Sequence, residues 1–187
     1  MANFGDRHGG CRLSVAEGAL HGHAPDGSWF VAQLPFLASY AGPADAEAFA
    51  GAASAPDDWG VLLVRKGGFA VARLSGERVV SSKVGRRHVQ GRSKAGGQSQ
   101  QRFARRRDNQ ARQAYEAAAE HAARILAGVP RVVAGGDRTA VAAVLEDARL
   151  REVEVTGEWL PVPDPRRAVL EAAIDDARAI RVEVVNA

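Results

Sequence analysis

Three short apolar runs in the middle of the chain constrain the fold more than any other feature. Residues 60–65, 69–74 and 78–84 are rich in valine, leucine and alanine, and each has the length of a single strand. Turn signals separate them, Gly-Gly at 67–68 and Ser-Gly-Glu at 75–77. The pattern predicts a three-stranded meander, whose third strand could extend to about residue 90.

A long helical segment follows the meander. Between about residues 99 and 126 the apolar positions fall on one helical face, and Gly128 with Pro130 beyond it ends the pattern. Asp137 is then a natural N-cap for another helix. The later elements are predicted as strands over 131–134, 152–155 and 180–185, and helices over 138–148 and 165–178. Because strands alternate with helices here, we expect an α/β fold with a mixed, partly parallel β-sheet and helices packed on it.

The first 58 residues predict an N-terminal extension. A β-hairpin is expected over residues 11–36, with strands at 12–15 and 29–32 on either side of a turn at Asp26-Gly27. A short helix with Pro43 at its start is expected over 43–54. We therefore expect residues 1–58 to pack as an extension on a main domain formed by residues 59–187.

Cysteine content and hydropathy favour a cytoplasmic protein. The single cysteine, Cys11, cannot form an internal disulfide and fits a reducing compartment. The sequence contains no run of 18 apolar residues, and its first residues lack the apolar core of a secretory signal. We expect neither a membrane partner nor an exported protein.

Charge is concentrated in one segment. The whole chain carries +3, but the segment from Lys83 to Arg112 contains ten Lys and Arg residues and only one acidic residue, Asp108. That segment therefore carries +9 and the rest of the chain −6. Such asymmetry indicates a surface that binds a polyanion, although a solvated helix face would show it as well.

The sharpest motif lies inside this basic segment. Gly96-Gly97-Gln98 ends a polar, glycine-rich loop at 91–98 and directly precedes the long helix, whose first turns are rich in arginine. A glycine pair by itself usually marks a turn. A helix N-terminus, however, adds unpaired backbone N–H donors and positive dipole character beside the triplet.

The segment around this triplet resembles a known family. Residues 91–107, which read GRSKAGGQSQQRFARRR, are similar to the central catalytic domain of archaeal and eukaryotic class-one release factors. The approach, Lys83-Val84-Gly85 and then residues 89–92, is still more similar to the actinobacterial Vms-like release-factor family, and residues 132–137 resemble a strand-to-helix turn of that domain. The resemblance covers about residues 60–187 and is strongest at 83–127. It implies a release-factor catalytic-domain-like fold with a long helix after the Gly-Gly-Gln loop.

The resemblance also implies a reaction, the hydrolysis of the ester between a nascent peptide and the 3′ ribose of tRNA. Gly96, Gly97 and Gln98 would then be the catalytic residues. The backbone N–H of Gln98 would stabilise negative charge that develops on oxygen, and its side-chain amide would orient water. The two glycines would let the loop adopt unusual backbone angles in a crowded RNA cavity. No cofactor and no metal are implied.

The implied partners are peptidyl-tRNA and the rRNA of the large ribosomal subunit, whose phosphates basic side chains would contact. The resemblance covers only a catalytic domain, so we expect release that does not depend on the codon, as in ribosome rescue or quality control. The oligomeric state stays open. The predicted RNA-binding residues are Lys83, Arg86, Arg87, Arg92, Lys94, Arg102, Arg105, Arg106, Arg107 and Arg112.

Other readings remain open at this point. The chain could be a nuclease that cleaves near the 3′ end of tRNA, or a non-catalytic module that binds rRNA or tRNA at the ribosome. His21 and His23 could share a strand face as metal ligands, but the sequence suggests no third ligand. Ser81-Ser82 beside Lys83 could form a Ser-Lys nucleophile, although a polar strand end explains the three residues better.

Overall fold

Nine strands and five α-helices make up the described part of this computed structural model. That part comprises the backbone of residues 2–86 and 98–187 and the side chains of residues 3–86 and 112–187. In chain order the elements are α1 Ala2–Arg7, β1 Arg12–Ala16, β2 Ala19–His23, β3 Trp29–Gln33, α2 Ala46–Gly51, β4 Trp59–Arg65, β5 Gly68–Ser75, β6 Arg78–Arg86, α3 Gln98–Leu126, β7 Arg131–Gly136, α4 Arg138–Leu145, β8 Glu154–Val155, α5 Arg167–Arg178 and β9 Arg181–Val185. They form two units, residues 1–55 with 175–187, and residues 56–174.

The larger unit is built on a five-stranded mixed sheet. Its strand order is β6-β5-β4-β7-β8. β4 pairs antiparallel with β5 and parallel with β7, and β7 pairs parallel with β8. The meander over β4–β6, the alternation of strands and helices, and the α/β class are therefore confirmed.

The central strand shows why this order is stable. Six of the seven residues of β4 are buried, as expected for a strand with neighbours on both edges and cover on both faces. Leu62 and Val64 join one apolar cluster with Ala118 and Ala122 of α3 and with α4. A fully buried leucine stabilises a fold by about 1.5–3 kcal/mol. This cluster therefore fixes α3 and α4 on the same face of the sheet.

The turn from β7 into α4 depends on a glycine and an aspartate. Gly136 has φ +93°, a conformation that favours glycine, and a Cβ at this position would overlap the carbonyl oxygen of Val64. Asp137 caps α4, because its carboxylate accepts hydrogen bonds from the backbone N–H groups of Thr139 and Ala140 at 3.0 and 3.3 Å. The predicted N-cap is confirmed, although the helix ends at Leu145 and not at 148.

The smaller unit contains an antiparallel sheet in the order β1-β2-β3-β9. The predicted hairpin over 11–36 is wrong, because β1 and β3 each pair with an additional strand, β2, and not with each other. Gly22 interrupts the apolar pattern of β2, and it is needed there, because a Cβ would overlap the ring of Phe30. The strand was missed because this glycine, between two histidines, lowers its apolar content.

The remaining elements of the smaller unit complete its core. Phe49 of α2 is fully buried and meets Tyr40 edge to face, with 4.8 Å between the ring centroids. Asp45 caps α2, so the helix begins at Ala46 and Pro43 does not start it, which corrects the prediction. The fourth strand, β9, comes from the end of the chain and aligns Val184 with Phe30 of β3.

Candidate functional site

The long helix α3 begins at Gln98, the last residue of the predicted catalytic triplet. Gly96 and Gly97 lie outside the described residues, and so does the side chain of Gln98. The first N–H groups of a helix have no acceptor within it, and they carry the positive end of the helix dipole. The backbone at Gln98 therefore belongs to a helix terminus that favours negative charge.

The second half of α3 packs into the core of the larger unit. Ala114, Ala118, Ala122 and Leu126 are buried, and they recur at intervals of four residues on one face. Because an α-helix rises about 1.5 Å per residue, Gln98 lies about 24 Å along the axis from Ala114. These buried contacts thus lie more than about four helical turns from the helix start.

A charged cluster reinforces this anchoring. One Nη of Arg149 contacts Glu120 of α3 at 2.8 Å and Asp147 at 2.7 Å, and Glu120 also pairs with Arg124 at 3.3 Å. The hydrogen bonds from Arg149 lower the pKa of Asp147 to about 2 and lower the pKa of Glu120 as well. Both carboxylates are thus ionised at neutral pH, and the cluster ties α3 to the short turn at Ala148–Leu150.

Trp159 lies over the start of α4. Its indole N–H donates to the carbonyl oxygen of Gly136 at 3.1 Å, and the guanidinium carbon of Arg138 lies 4.4 Å from the ring centroid. Through these two contacts Trp159 stabilises the turn between β7 and α4.

Three of the predicted RNA-binding residues lie among the described side chains. Lys83 and Arg86 are exposed on β6, and Arg112 is exposed on α3. Arg102, Arg105, Arg106 and Arg107 lie in the first half of α3, where only the backbone is described. Arg87, Arg92 and Lys94 lie outside the described residues.

The structure adds two residues that the sequence did not single out. Lys83 and Arg86 line a pocket together with Arg65, from the end of β4, and His121, from α3. Arg65 donates to the carbonyl oxygen of Val162 at 2.8 Å, which holds its side chain in place. No local pattern marks Arg65 or His121, because the pocket joins positions that are far apart in the chain.

The geometry of β6 separates Ser82 from Lys83. Ser82 aligns with Ala72 and Lys83 with Val71, so the two side chains leave opposite faces of the strand. The hydroxyl of Ser82 accepts a hydrogen bond from Arg167 at 2.9 Å. Ser82 is therefore not paired with Lys83, whereas Ser81, two residues before Lys83, is exposed on the same face of this polar strand segment.

Of the two histidines of β2, His21 contacts the backbone at the end of β1. A ring nitrogen of His21, Nε2, lies 3.2 Å from the carbonyl oxygen of Ala16. Within the described residues, no three His, Cys, Asp or Glu side chains come together as a metal site would require.

In the same part of the chain, no helix has the length and apolar character needed to cross a membrane.

Comparison with known proteins shows to which family the chain belongs. Residues 57–183 match the family described as Actinobacteria/chloroflexi VLRF1 release factor. The chain belongs to this release-factor family. The match covers about two thirds of the chain, and no curated protein matches it.

The bounds of the match fit the described elements. The release-factor region begins just before β4 and ends within β9, so it contains the whole mixed sheet together with α3 and α4. Strands β1–β3 lie before it. Membership of a release-factor family implies that the protein interacts with the ribosome and takes part in translation.

Proposed function

We propose that this protein hydrolyses the ester of peptidyl-tRNA in the peptidyl-transferase centre of the large ribosomal subunit. One observation carries the proposal. In a chain of a release-factor family, Gly96-Gly97-Gln98 runs directly into the N-terminus of the long helix α3. The reaction would take place in the cytoplasm, where ribosomes translate.

The chemistry needs little from side chains. Water attacks the carbonyl carbon of the ester, and negative charge builds on the carbonyl oxygen and on the leaving 3′ oxygen. Backbone N–H groups fixed in advance stabilise such charge at little reorganisation cost. Gln98 would supply one of these donors and would orient water with its amide, while Gly96 and Gly97 leave room for the backbone to approach RNA.

Binding would come from the basic segment. Lys83, Arg86 and Arg112 are exposed, as phosphate contacts require. Arg102, Arg105 and Arg106 belong to the first half of the same helix α3. Ten cations over 30 residues favour rRNA and tRNA phosphates as partners.

We further propose that release is independent of the codon and serves ribosome rescue or quality control. The resemblance of the sequence to class-one release factors covers their catalytic domain, and stop codons are read elsewhere in those proteins. Peptide release should then proceed on large subunits that hold peptidyl-tRNA without any mRNA.

The test is peptide release from peptidyl-tRNA bound to isolated large subunits. Gly97→Val should abolish release, because a branched side chain would block the approach of the backbone to the ester. Gly51→Val is a matched control, since Gly51 is exposed at the end of α2 and a Cβ there meets nothing within 4 Å. Gel analysis of the RNA separates the alternatives. Ester hydrolysis releases the peptide and leaves a tRNA with an intact terminal adenosine, whereas a nuclease shortens the tRNA. A non-catalytic binding module leaves the peptidyl-tRNA unchanged.

A further inference from the structure

A pocket on the release-factor unit lies between α3 and the edge strand β6. It has a volume of about 190 Å³ and is lined by Lys83, Gly85, Arg86, Phe69, His121 and their neighbours. All its lining residues belong to the unit of residues 56–174. The pocket is therefore a feature of one unit.

Small residues create the space. Gly85 aligns with Phe69 on the next strand, and a Cβ on Gly85 would overlap the Phe69 ring. On the facing helix, Ala114 and Ala117 contribute only methyl groups to the lining. A larger side chain at either of these positions on the helix would narrow the pocket, and the ring of Phe69 occupies the space that Gly85 leaves on the strand.

An aromatic pair forms the apolar part of the lining. The ring of Phe69 stacks on that of His121 with 5.4 Å between centroids and an interplanar angle of 25°. Phe69 is buried, whereas His121 is half-buried and so presents part of its ring to the pocket. Aromatic rings of this kind stack on flat, unpaired bases.

The rim is cationic. Arg65, Lys83 and Arg86 all line the pocket, and none of the described lining residues is acidic. Arg65 lies 3.7 Å from Asp164, but in residues 3–86 and 112–187 no carboxylate pairs with Lys83 or Arg86. Among the described side chains, then, two cations without a paired carboxylate lie beside an aromatic surface, which matches a ligand that carries a phosphate and a flat ring.

We infer that this pocket binds one nucleotide of RNA, with Lys83 and Arg86 on the phosphate and His121 beside the base. The assignment to RNA rests on the proposed function, whereas the pocket itself does not. Since α3 rises about 1.5 Å per residue, His121 lies about 35 Å along the helix from Gln98. The bound nucleotide is therefore not the one that carries the scissile ester, and the pocket anchors a separate part of the RNA.

The experiment is a titration of the full chain with adenosine 5′-monophosphate, followed by backbone amide shifts. Saturable shifts are expected at Phe69, Gly85 and His121. The double variant Lys83→Gln/Arg86→Gln should bind at least about tenfold more weakly, because charged hydrogen bonds to the phosphate are lost. His121→Ala should weaken binding of the nucleotide but leave binding of inorganic phosphate unchanged.

The matched control is Lys66→Gln/Arg78→Gln, which removes the same charge from two exposed residues that do not line the pocket. The inference is overturned if these amides do not shift, if inorganic phosphate binds as tightly as the nucleotide, or if the control weakens binding as much as the pocket variant. Because this binding needs no ribosome, its failure is distinct from a failure of peptide release. A Gly97→Val protein should still bind the nucleotide.

Discussion

The contact between Leu126 and Gly60 offers the sharpest test of how α3 is anchored. Leu126 lies in the last turn of α3, and its side chain is fully buried. Gly60, in β4, lies directly under it, because a Cβ on Gly60 would be 2.5 Å from Cδ2 of Leu126. The leucine thus occupies the space that the glycine leaves open.

The expected cost of Leu126→Ala follows from this geometry. The substitution removes three carbon groups, worth about 2.4 kcal/mol at about 0.8 kcal/mol each. Gly60 has no side chain that could move into the space, so a cavity term adds to the loss. We expect the free energy of unfolding to fall by about 3–4 kcal/mol.

The same geometry predicts that the two positions are coupled. Gly60→Ala alone should be destabilising, because the new methyl would collide with Cδ2 of Leu126. In the Leu126→Ala background that collision is gone, and the next nearest atoms, the carbonyl oxygen of Ala72 and Cγ2 of Val132, are farther away at 3.0 and 3.2 Å. The cost of Gly60→Ala should therefore be smaller by at least about 1 kcal/mol in that background.

Native-state amide exchange of β4 and β7 measures both effects, since these strands report the unfolding of the unit that contains α3. All four proteins of the cycle are needed, the unsubstituted chain, the two single variants and the double variant. A loss below about 1 kcal/mol for Leu126→Ala, or an equal cost of Gly60→Ala in both backgrounds, would refute the packing argument.

Two further predictions concern the framework around α3. Gly136→Ala should lower the free energy of unfolding by more than about 1 kcal/mol, because the residue has φ +93° and the new methyl group would meet the carbonyl oxygen of Val64. Thermal denaturation measures this, and a melting temperature equal to that of the unsubstituted chain would contradict it. Arg149→Met should destabilise the protein at pH 6 but progressively less as the pH falls towards 2, because the pKa values of Asp147 and Glu120 are lowered in the folded chain and both carboxylates become protonated there. Urea unfolding of the unsubstituted chain and of Arg149→Met at pH 6 and pH 3 measures this. If the two proteins differ in urea midpoint by the same amount at both pH values, the cluster does not stabilise the fold as argued.

Local patterns in the sequence are sufficient for most of the larger unit. The runs in β4, β5 and β6 and the turn signals between them predict the meander, because each depends only on neighbouring residues. The periodicity of α3 and the cap at Asp137 are equally local, and both are confirmed. Gln98, the last residue of the predicted tip, begins the helix α3.

The parts that the sequence did not reveal depend on contacts between distant residues. β9 pairs with β3, which joins Val184 to Phe30 across most of the chain, and no local pattern encodes that choice. β2 was hidden because Gly22 lowers its apolar content, although the packing of Phe30 requires the glycine. His121 and Arg65 likewise gain a place beside Lys83 and Arg86 only when the sheet and helix come together.

The central claim concerns Gly96-Gly97-Gln98, and one comparison of rates tests it most directly. Peptide release from peptidyl-tRNA on isolated large subunits should be fast with the unsubstituted chain and with Gly51→Val. With Gly97→Val it should be slower by at least about 100-fold, the loss typical when one preorganised donor is displaced from developing charge. Equal release rates for Gly97→Val and Gly51→Val would contradict the assignment of the catalytic tip.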